Sequence, residues 1–191
     1  MSREDAPDRR AVFLDRDGTL VEERGYVTTP EDLVLLPGAA AAVRALREAG
    51  WKVFVVSNQA AVARGLITED ELAAIHLRLA ALLAAEGARL DGLYVCPHHP
   101  EGTIEAYALE CGCRKPRPGL LEQAAREHDL DLARCVTVGD SPRDLEAGKA
   151  AGTRTVLVRT GHGRQAEAAG AEADHVADDL ARAADWIISG A

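Results

Sequence analysis

The sequence has no apolar run long enough to cross a bilayer and no long run of basic residues. Its first ten residues are rich in charge and lack the apolar stretch of a secretory signal. Lysine and arginine number 22 against 31 aspartates and glutamates, and the net charge of -9 disfavours binding to nucleic acid and anionic membranes. We therefore expect a cytoplasmic protein with no nucleic-acid or membrane partner. The sequence leaves the oligomeric state open, a monomer included.

Cysteine is scarce, with four residues at positions 96, 111, 113 and 135. In a protein without an export signal these cysteines should stay reduced unless they bind a metal. Hydrophobic residues make up 47% of the chain and charged residues 28%, which is typical of a globular protein. Since the chain has 191 residues and no internal repeat, we expect a single domain over residues 1–191.

Short apolar runs bounded by turn residues alternate with helical patterns along the chain. The runs predict strands at residues 11–14, 53–56, 93–95, 135–138 and 155–158, and a short edge strand at 175–177. The helical patterns lie at residues 38–49, 68–86, 118–128 and 142–150, with a last helix capped by Asp178 and ending at Ile188. This alternation predicts a three-layer α/β/α sandwich with a mainly parallel, Rossmann-like sheet. Residues 21–36 and 97–116 are predicted to lie over the site as loops, without a large cap domain.

Polar residues that suit phosphate or metal chemistry follow four of the predicted strands. Asp15 and Asp17 follow the first strand, Ser57 ends the second, Lys115 follows the third, and residues 139–144 follow the fourth. Each has an ordinary alternative explanation, such as a turn, a helix cap or a solvated lysine. All four together are improbable by chance. Because ligands bind outside the carboxyl ends of parallel strands, we expect these side chains to form one site.

Taken in order, these motifs resemble the four motifs of the haloacid dehalogenase superfamily. They are Asp15-x-Asp17-Gly18-Thr19, Ser57, Lys115 and Gly139-Asp140-x-x-x-Asp144. The resemblance implies a Mg²⁺-dependent phosphatase in which Asp15 attacks the phosphate and Asp17 handles the proton. Mg²⁺ bound by Asp15, the Asp17 carbonyl and Asp140 would reduce charge repulsion. Ser57 and the amide of Asn58 would position the transferred oxygens, and Lys115 would add a fixed positive charge.

A second ligand set consists of three cysteines and one histidine, which suits tetrahedral Zn²⁺. Its members are Cys96, His98, Cys111 and Cys113. Cys135 is instead typical of a small strand hydrophobe, and His99 is the one rival to His98. With all four positions filled by protein, the zinc should be structural. We expect this segment, residues 96–113 (the cysteine loop), to lie over the active site and to fix Arg114 and Lys115.

The stretches Cys96-Pro-His-His-Pro100 and Cys111-Gly-Cys-Arg-Lys-Pro116 resemble the branch of histidinol phosphatases and heptose-bisphosphate phosphatases. The long stretch between them is similar to the heptose form. Directly after the metal-binding aspartate this chain has Ser141, where such heptose phosphatases usually have a basic residue. The resemblance implies substrate contacts from a flap, a second loop and the cations beside the cysteine loop. These residues are Glu23, Arg24, Gly25, Tyr26, Ser57, Asn58, Gln59, Ala60, Arg114, Lys115 and Ser141.

The resemblance thus implies a small phosphorylated sugar as substrate. The leading expectation is hydrolysis of the 7-phosphate of D-glycero-D-manno-heptose 1,7-bisphosphate, with Arg114 recognising the second phosphate. A histidinol-phosphate phosphatase is the main alternative. A zinc-stabilised binding module without activity is a second alternative, against which the complete set of catalytic residues argues. A phosphomutase is disfavoured because no insertion is long enough for a helical cap that excludes water.

Overall fold

The computed structural model describes residues 9–190 and has a sheet of six parallel strands at its centre. The strands are β1 (Ala11–Leu14), β2 (Lys52–Asn58), β3 (Gly92–Cys96), β4 (Val136–Gly139), β5 (Arg154–Val158) and β6 (His175–Ala177). Their order in the sheet is β3-β2-β1-β4-β5-β6. The ends of the predicted domain, residues 1–8 and 191, lie outside the described residues.

Six helices cover the two faces of this sheet. They are α1 (Ala39–Glu48), α2 (Glu69–Ala85), α3 (Gly119–His128), α4 (Pro142–Ala151), α5 (Gly163–Ala168) and α6 (Leu180–Ile188). Helices α1, α2 and α6 pack on the face that includes Val12 and Leu14, whereas α3, α4 and α5 pack on the opposite face. Both faces of the strands are therefore buried, which explains their continuous apolar runs. The predicted three-layer sandwich without a large cap domain is confirmed.

Helix α2 illustrates how local sequence fixes an element. Its first turn is closed by a capping box: Glu71 N donates to Thr68 Oγ1 at 3.2 Å, and Thr68 N donates to Glu71 Oε2 at 2.7 Å. The buried face of the helix consists of Leu72, Ile75, Leu79 and Leu83, whereas Leu82 is only partly buried. Leu83 lies 11 positions after Leu72, about three helical turns, so the two side chains share a face.

Several other boundaries also differ from the predictions. Helix α5 was not predicted, and its six residues are too few to display a helical period. Asp179, rather than Asp178, caps α6 by accepting a hydrogen bond from Arg182 N at 2.9 Å. Asp178 instead forms an ion pair with Arg159 at 2.8 Å. Either aspartate could cap the helix. In the structure Asp178 pairs with Arg159, which directly follows β5, and Asp179 is the cap. Within residues 9–190, every helix is too short or too polar to span a bilayer.

The order of the strands determines where a site can form. From β1 the chain builds β2 and β3 on one side and then crosses to place β4 on the other side of β1. The carboxyl ends of β1 and β4 therefore flank the topological switch point, where ligands bind in sheets of this kind. The backbone joins the two ends directly, since Asp15 N donates to Val138 O at 2.9 Å. Residues that directly follow β1 and β4 are thereby brought together.

We predict that Ile75→Ala lowers the free energy of unfolding by about 2–5 kcal/mol, because it removes a side chain that is 0% exposed from the core beneath α2. Urea unfolding followed by circular dichroism measures the change. Leu77→Ala on the same helix is a matched control, since Leu77 is 73% exposed and its removal should change stability by less than about 0.5 kcal/mol. Equal effects of the two changes would contradict the assigned inner face of α2.

Candidate active site

A cavity of about 380 Å³ lies at the carboxyl ends of β1, β2 and β4. Most residues predicted for catalysis, substrate contact or Mg²⁺ line it. They are Asp15, Asp17, Glu23, Gly25, Tyr26, Ser57, Asn58, Gln59, Ala60, Arg114, Lys115, Asp140 and Ser141. Arg24 differs from the prediction because it does not line the cavity. Its guanidinium forms an ion pair with Glu22 at 2.6 Å, and this near neighbour holds it at the surface.

Lys115 is the cation at the centre of this cavity. Its ammonium group is 2.7 Å from Asp15 Oδ1 and 2.6 Å from Asp144 Oδ1, and it donates to Val56 O at 2.7 Å. An ammonium group has three hydrogens, so these contacts use all of its donors. Burial alone would lower the pKa of Lys115, but Asp144 and Asp15 outweigh that effect and raise it. Lys115 is therefore a fixed positive charge.

Three carboxylates, from Asp15, Asp140 and Asp144, come within 4.8 Å of one another. Burial raises the pKa of Asp15 to about 7, against the opposing effect of Lys115, and burial raises the pKa of Asp140 to about 6. Carboxylates that resist ionisation in this way are stabilised by a hard cation with oxygen ligands, such as Mg²⁺. The cluster is thus chemically suited to a divalent metal.

The hydrogen bonds distinguish the three carboxylates. Asp144 Oδ1 forms the ion pair with Lys115. Asp144 Oδ2 accepts from the hydroxyl of Ser141 at 2.6 Å and from the backbone amide of Ser141 at 3.1 Å. Within the described part of the chain, Asp15 Oδ2 and Asp140 Oδ1 have no hydrogen-bond donor, whereas Asp140 Oδ2 accepts from His162 N at 2.8 Å. Asp15 and Asp140 therefore each keep an oxygen available for a ligand, whereas both oxygens of Asp144 already contact protein donors.

Asp17 is held by two side chains to which the sequence prediction gave no such role. Arg16, which is 1% exposed, donates to both Asp17 oxygens at 2.9–3.1 Å. Gln59 donates from Nε2 to Asp17 Oδ2 at 3.0 Å and to Ser57 Oγ at 2.8 Å. Burial lowers the pKa of the neighbouring His76 to about 4, so its ring is neutral 3.5 Å from Arg16. The sequence feature that could have indicated this role of Arg16 is its position between two aspartates.

The ends of β2 and of the cysteine loop are joined by Asn58. Its side-chain oxygen accepts from Lys115 N at 3.0 Å, and its side-chain nitrogen donates to Lys115 O at 3.0 Å. The side chain of Asn58 thus fixes the backbone of Lys115. The side chain of Gln59, which is buried, likewise serves other protein groups. Two residues predicted for substrate contact therefore use their side chains to support the site.

Gly18 has a geometric reason to be glycine. Its φ is 78°, and a side chain built there would collide with the carboxylate of Asp140 and with Gly161. The carbonyl of Gly18 accepts from Thr160 Oγ1 at 2.6 Å. This turn brings the segment after β1 close to Asp140 and to the segment that follows β5. The Asp-Gly pair thus closes the site rather than forming an isolated surface turn.

The four predicted ligands of the cysteine loop converge on one point. The distances between sulfur atoms of Cys96, Cys111 and Cys113 are 3.1–3.5 Å, and His98 Nδ1 is 3.4 Å from Cys113 Sγ and 3.6 Å from Cys96 Sγ. No disulfide is formed by these cysteines. A tetrahedron with metal–sulfur bonds of about 2.3 Å has edges of roughly 3.8 Å, so the arrangement has the shape and chemistry of a tetrahedral metal site.

The remaining cysteine and the rival histidine lie outside this cluster. Cys135 Sγ donates to Asp131 O at 3.2 Å, away from the loop. His99 lines the cavity, and its Nδ1 accepts from Glu101 N at 3.1 Å. His98 connects the cluster to the cavity, because Arg114 donates to its carbonyl at 3.1 Å. The cysteine loop therefore carries His99, Arg114 and Lys115 into the cavity, as the sequence predicted for the two cations.

Comparison with known proteins agrees with this geometry. A family model described as HAD-hydrolase-like matches residues 112–183. A D-glycero-D-manno-heptose-1,7-bisphosphate 7-phosphatase of Thermosynechococcus vestitus is 48% identical over 187 residues, covering 94% of this chain and 95% of the relative. The Escherichia coli D-glycero-beta-D-manno-heptose-1,7-bisphosphate 7-phosphatase is 41% identical over 180 residues. The match covers 94% of this chain and 88% of the E. coli protein. The chain belongs to the heptose-bisphosphate phosphatase family.

Members of this family have also been solved experimentally. The Bordetella bronchiseptica D,D-heptose 1,7-bisphosphate phosphatase, complexed with magnesium and phosphate, has a TM-score of 0.86 at 38% identity and covers 95% of this chain and 99% of its own. The Burkholderia thailandensis enzyme has a TM-score of 0.72 at 35% identity, with coverage of 94% and 99%. The fold of this chain is thus that of the heptose-bisphosphate phosphatase family over nearly its whole length.

Four cavity residues of this family member were not assigned a site role from the sequence. They are His99, Arg143, Asp144 and His162. Asp144 was part of a recognised motif, but its partner Lys115 is 29 positions away and only the fold brings them together. Arg143 and His162 lie shortly after the ends of β4 and β5. This position indicates that they are near the site but not what they do there. His99 was considered only as a rival metal ligand.

We predict that Lys115→Met destabilises the metal-free protein in a pH-dependent way. It leaves the buried carboxylates of Asp15 and Asp144 without their counter-charge. Because burial raises the pKa of Asp15 from 3.8 to about 7, the native state binds a proton there that the unfolded chain has released, and stability falls as pH rises through this window. Without Lys115 the pKa should rise further. We expect a loss of about 3–5 kcal/mol at pH 8 and a much smaller loss at pH 5.5.

Urea unfolding in EDTA at both pH values measures this difference. Lys149→Met, on the exposed side of α4, provides a control with the same chemical change outside the cavity. The control should be close to the parent at both pH values. An equal loss for Lys115→Met at pH 5.5 and pH 8 would show that packing, rather than charge, accounts for its effect.

Proposed function

We propose that this protein is a Mg²⁺-dependent phosphoric monoester hydrolase that removes the 7-phosphate from D-glycero-D-manno-heptose 1,7-bisphosphate. The observation that carries the proposal is the position of Asp15. Its carboxylate contacts Lys115, keeps one oxygen available, and lies in the metal-suited carboxylate cluster of the cavity. The relatives with the same architecture supply the identity of the sugar, because they are named for this substrate.

In this proposal Asp15 is the nucleophile. One oxygen of its carboxylate attacks the phosphorus, the bond from phosphorus to the sugar oxygen breaks, and an aspartyl-phosphate forms. Asp17 protonates the departing sugar oxygen and then takes a proton from the water that hydrolyses the aspartyl-phosphate. The bidentate contact of Arg16 and the amide of Gln59 hold Asp17 in one orientation for both steps. Lys115 reduces the repulsion between Asp15 and the phosphate.

Asp15, Asp140 and the carbonyl of Asp17 would hold Mg²⁺. The donor set fits, because Asp15 and Asp140 both keep an oxygen without a hydrogen-bond donor while Asp144 has none to spare. When bound, Mg²⁺ neutralises negative charge on the phosphate and on the carboxylates. Asp144 orients Lys115 instead of serving as a direct ligand. Ser57, which is buried beside Gln59, would donate to a phosphate oxygen.

Cys96, His98, Cys111 and Cys113 would hold one structural Zn²⁺. Three sulfurs and one imidazole nitrogen within 4.8 Å of one another fill a tetrahedral shell and leave no position for water. Burial raises the pKa of Cys96 well above its usual range, so a metal is needed to stabilise its thiolate. This zinc would stabilise a loop that has little other support, and it would not touch the reacting atoms. The cytoplasmic location remains a prediction from the sequence.

The two alternatives differ from this proposal in testable ways. Histidinol phosphate has a single phosphate, whereas the cavity contains Arg114 in addition to Lys115, whose donors are all used. The additional cation favours a substrate with a second anionic group. A binding module without activity would not need an available carboxylate oxygen on Asp15 beside a metal-suited cluster. A heptose-bisphosphate phosphatase is therefore favoured over both alternatives.

We predict that Cys111→Ser lowers both thermal stability and activity. Loss of zinc would release a long irregular segment whose ordering costs conformational entropy, and Arg114 and Lys115 would move with it. Metal analysis should find one tightly bound zinc per chain in the parent and less in the variant. Cys135→Ser is the matched control, because Cys135 lies outside the cluster and should leave the zinc content unchanged. A Cys111→Ser variant without zinc but with parental melting temperature and kinetics would refute the structural role.

We predict that the purified protein, with Mg²⁺, releases one equivalent of phosphate from heptose 1,7-bisphosphate and leaves heptose 1-phosphate. A phosphate-release assay should compare both anomers with histidinol phosphate, fructose 1,6-bisphosphate and an aryl phosphate. EDTA should stop the reaction, because the carboxylate cluster then lacks its cation. Preference for histidinol phosphate would reverse the ranking of the two substrates, and no release from any compound would favour the binding module.

Asp15→Asn is the control for this assay. The amide is nearly isosteric with the carboxylate but cannot form the aspartyl-phosphate, so turnover should be abolished while the fold is retained. The far-ultraviolet circular dichroism spectrum should be that of the parent. Substantial activity in this variant would mean that another residue attacks the phosphate.

A further inference from the structure

Two arginines that line the cavity have no carboxylate partner within residues 9–190. Arg114 donates to the carbonyl of His98, and Arg143, on the first turn of α4, forms neither a hydrogen bond nor an ion pair with the described residues. Many other arginines of the chain are paired. Examples are Arg9 with Asp129, Arg47 with Asp91 and Arg159 with Glu167. In a protein of net charge -9, two arginines without acidic partners in one cavity indicate a site for an anion.

The position of Arg143 is electrostatically unfavourable in the protein alone. A cation on the first turn of a helix opposes the helix dipole, which favours negative charge at that end. Burial is the main reason that the pKa of Arg114 is lowered, and the nearby charge of Arg143 adds to this effect. The two guanidinium groups therefore repel each other. Both costs would be offset by an anion bound between them.

Two other polar residues of the cavity, Lys115 and Ser141, already use their side-chain donors within the protein. Lys115 has no remaining donor, as its three hydrogens go to Asp15, Asp144 and Val56 O. The hydroxyl of Ser141, between Asp140 and the helix, donates to Asp144. Neither residue supplies a free donor for a second phosphate. Guanidinium groups, in contrast, have five donors each and bind phosphate oxygens in a bidentate geometry.

We infer that Arg143, together with Arg114, binds the phosphate that is not hydrolysed and is a specificity-determining residue for bisphosphate substrates. The inference rests on the proposed function, since it concerns the second phosphate of that substrate. Arg143 lies on the first turn of α4, three positions after Asp140. A phosphate bound by Arg143 would therefore lie in the same cavity as the carboxylate cluster of Asp15, Asp140 and Asp144. Arg114 reaches the same place from the cysteine loop.

The test compares kcat/KM for heptose 1,7-bisphosphate with kcat/KM for heptose 7-phosphate, both with Mg²⁺. In the parent the bisphosphate should be the better substrate. Arg143→Gln should reduce this ratio by roughly 10- to 100-fold, the range expected when hydrogen bonds to a charged group are lost. The loss should lie mainly in KM, because the interaction is the same in the ground state and the transition state. Arg143→Lys should recover part of the ratio, since it restores charge without the bidentate geometry.

Arg126→Gln is the matched control, because Arg126 is exposed on α3 and does not line the cavity. Its ratio should equal that of the parent. An unchanged ratio in Arg143→Gln, or equal losses with both heptose phosphates, would overturn the inference. A parent that hydrolyses an aryl phosphate but neither heptose phosphate would refute the proposed function. The ratio should then be measured with the best bisphosphate of the sugar-phosphate panel and its monophosphate, and a panel without bisphosphate preference would overturn the role of Arg143 as well.

Discussion

The contact of the Lys115 ammonium with two buried carboxylates is the interaction on which the site depends. It joins Asp15 after β1, Asp144 on α4 and the backbone of β2 at Val56. Burying any one of these charges alone would cost several kilocalories per mole, so each is stable only with the others in place. The segments that follow β1 and β4 must therefore assemble together with Lys115. In the proposed function, catalysis and folding would share this cluster.

The cysteine loop explains how a lysine from outside the sheet reaches this position. Asn58 fixes the backbone of Lys115 from β2, while the carbonyl of His98, a member of the cysteine cluster, accepts a hydrogen bond from Arg114. A loop of this length has few apolar side chains with which to offset the entropy lost on ordering. A metal bound by the four ligands would supply the cross-link that packing does not. Arg114 and Lys115, which directly follow Cys113, thus connect the cysteine cluster to the cavity.

The charge of the cavity reconciles an acidic protein with an anionic substrate. Five carboxylates line the cavity, from Asp15, Asp17, Glu23, Asp140 and Asp144, against the three fixed cations Arg114, Lys115 and Arg143. In the proposed function, these carboxylates would supply the nucleophile, the proton carrier and the ligands for a divalent cation. Two of the three cations remain without acidic partners among the described residues. The chain has a serine at position 141, and the cavity-lining cation of α4 lies instead at position 143.

The sequence by itself determined the sheet, most of the helices and the two ligand clusters. Buried parallel strands require continuous apolar runs, and Asp15 and Asp140 occur where such strands end, so their convergence follows from topology. Partner choice was decided only by the tertiary structure. The pairing of Arg24 with Glu22, of Arg16 with Asp17 and of Asp178 with Arg159 depends on side-chain directions that a linear pattern does not contain. The same applies to Arg143, whose significance lies in the absence of a partner in the described chain. Local patterns specify elements, whereas the choice among several possible charge partners depends on distances that exist only after the elements have packed.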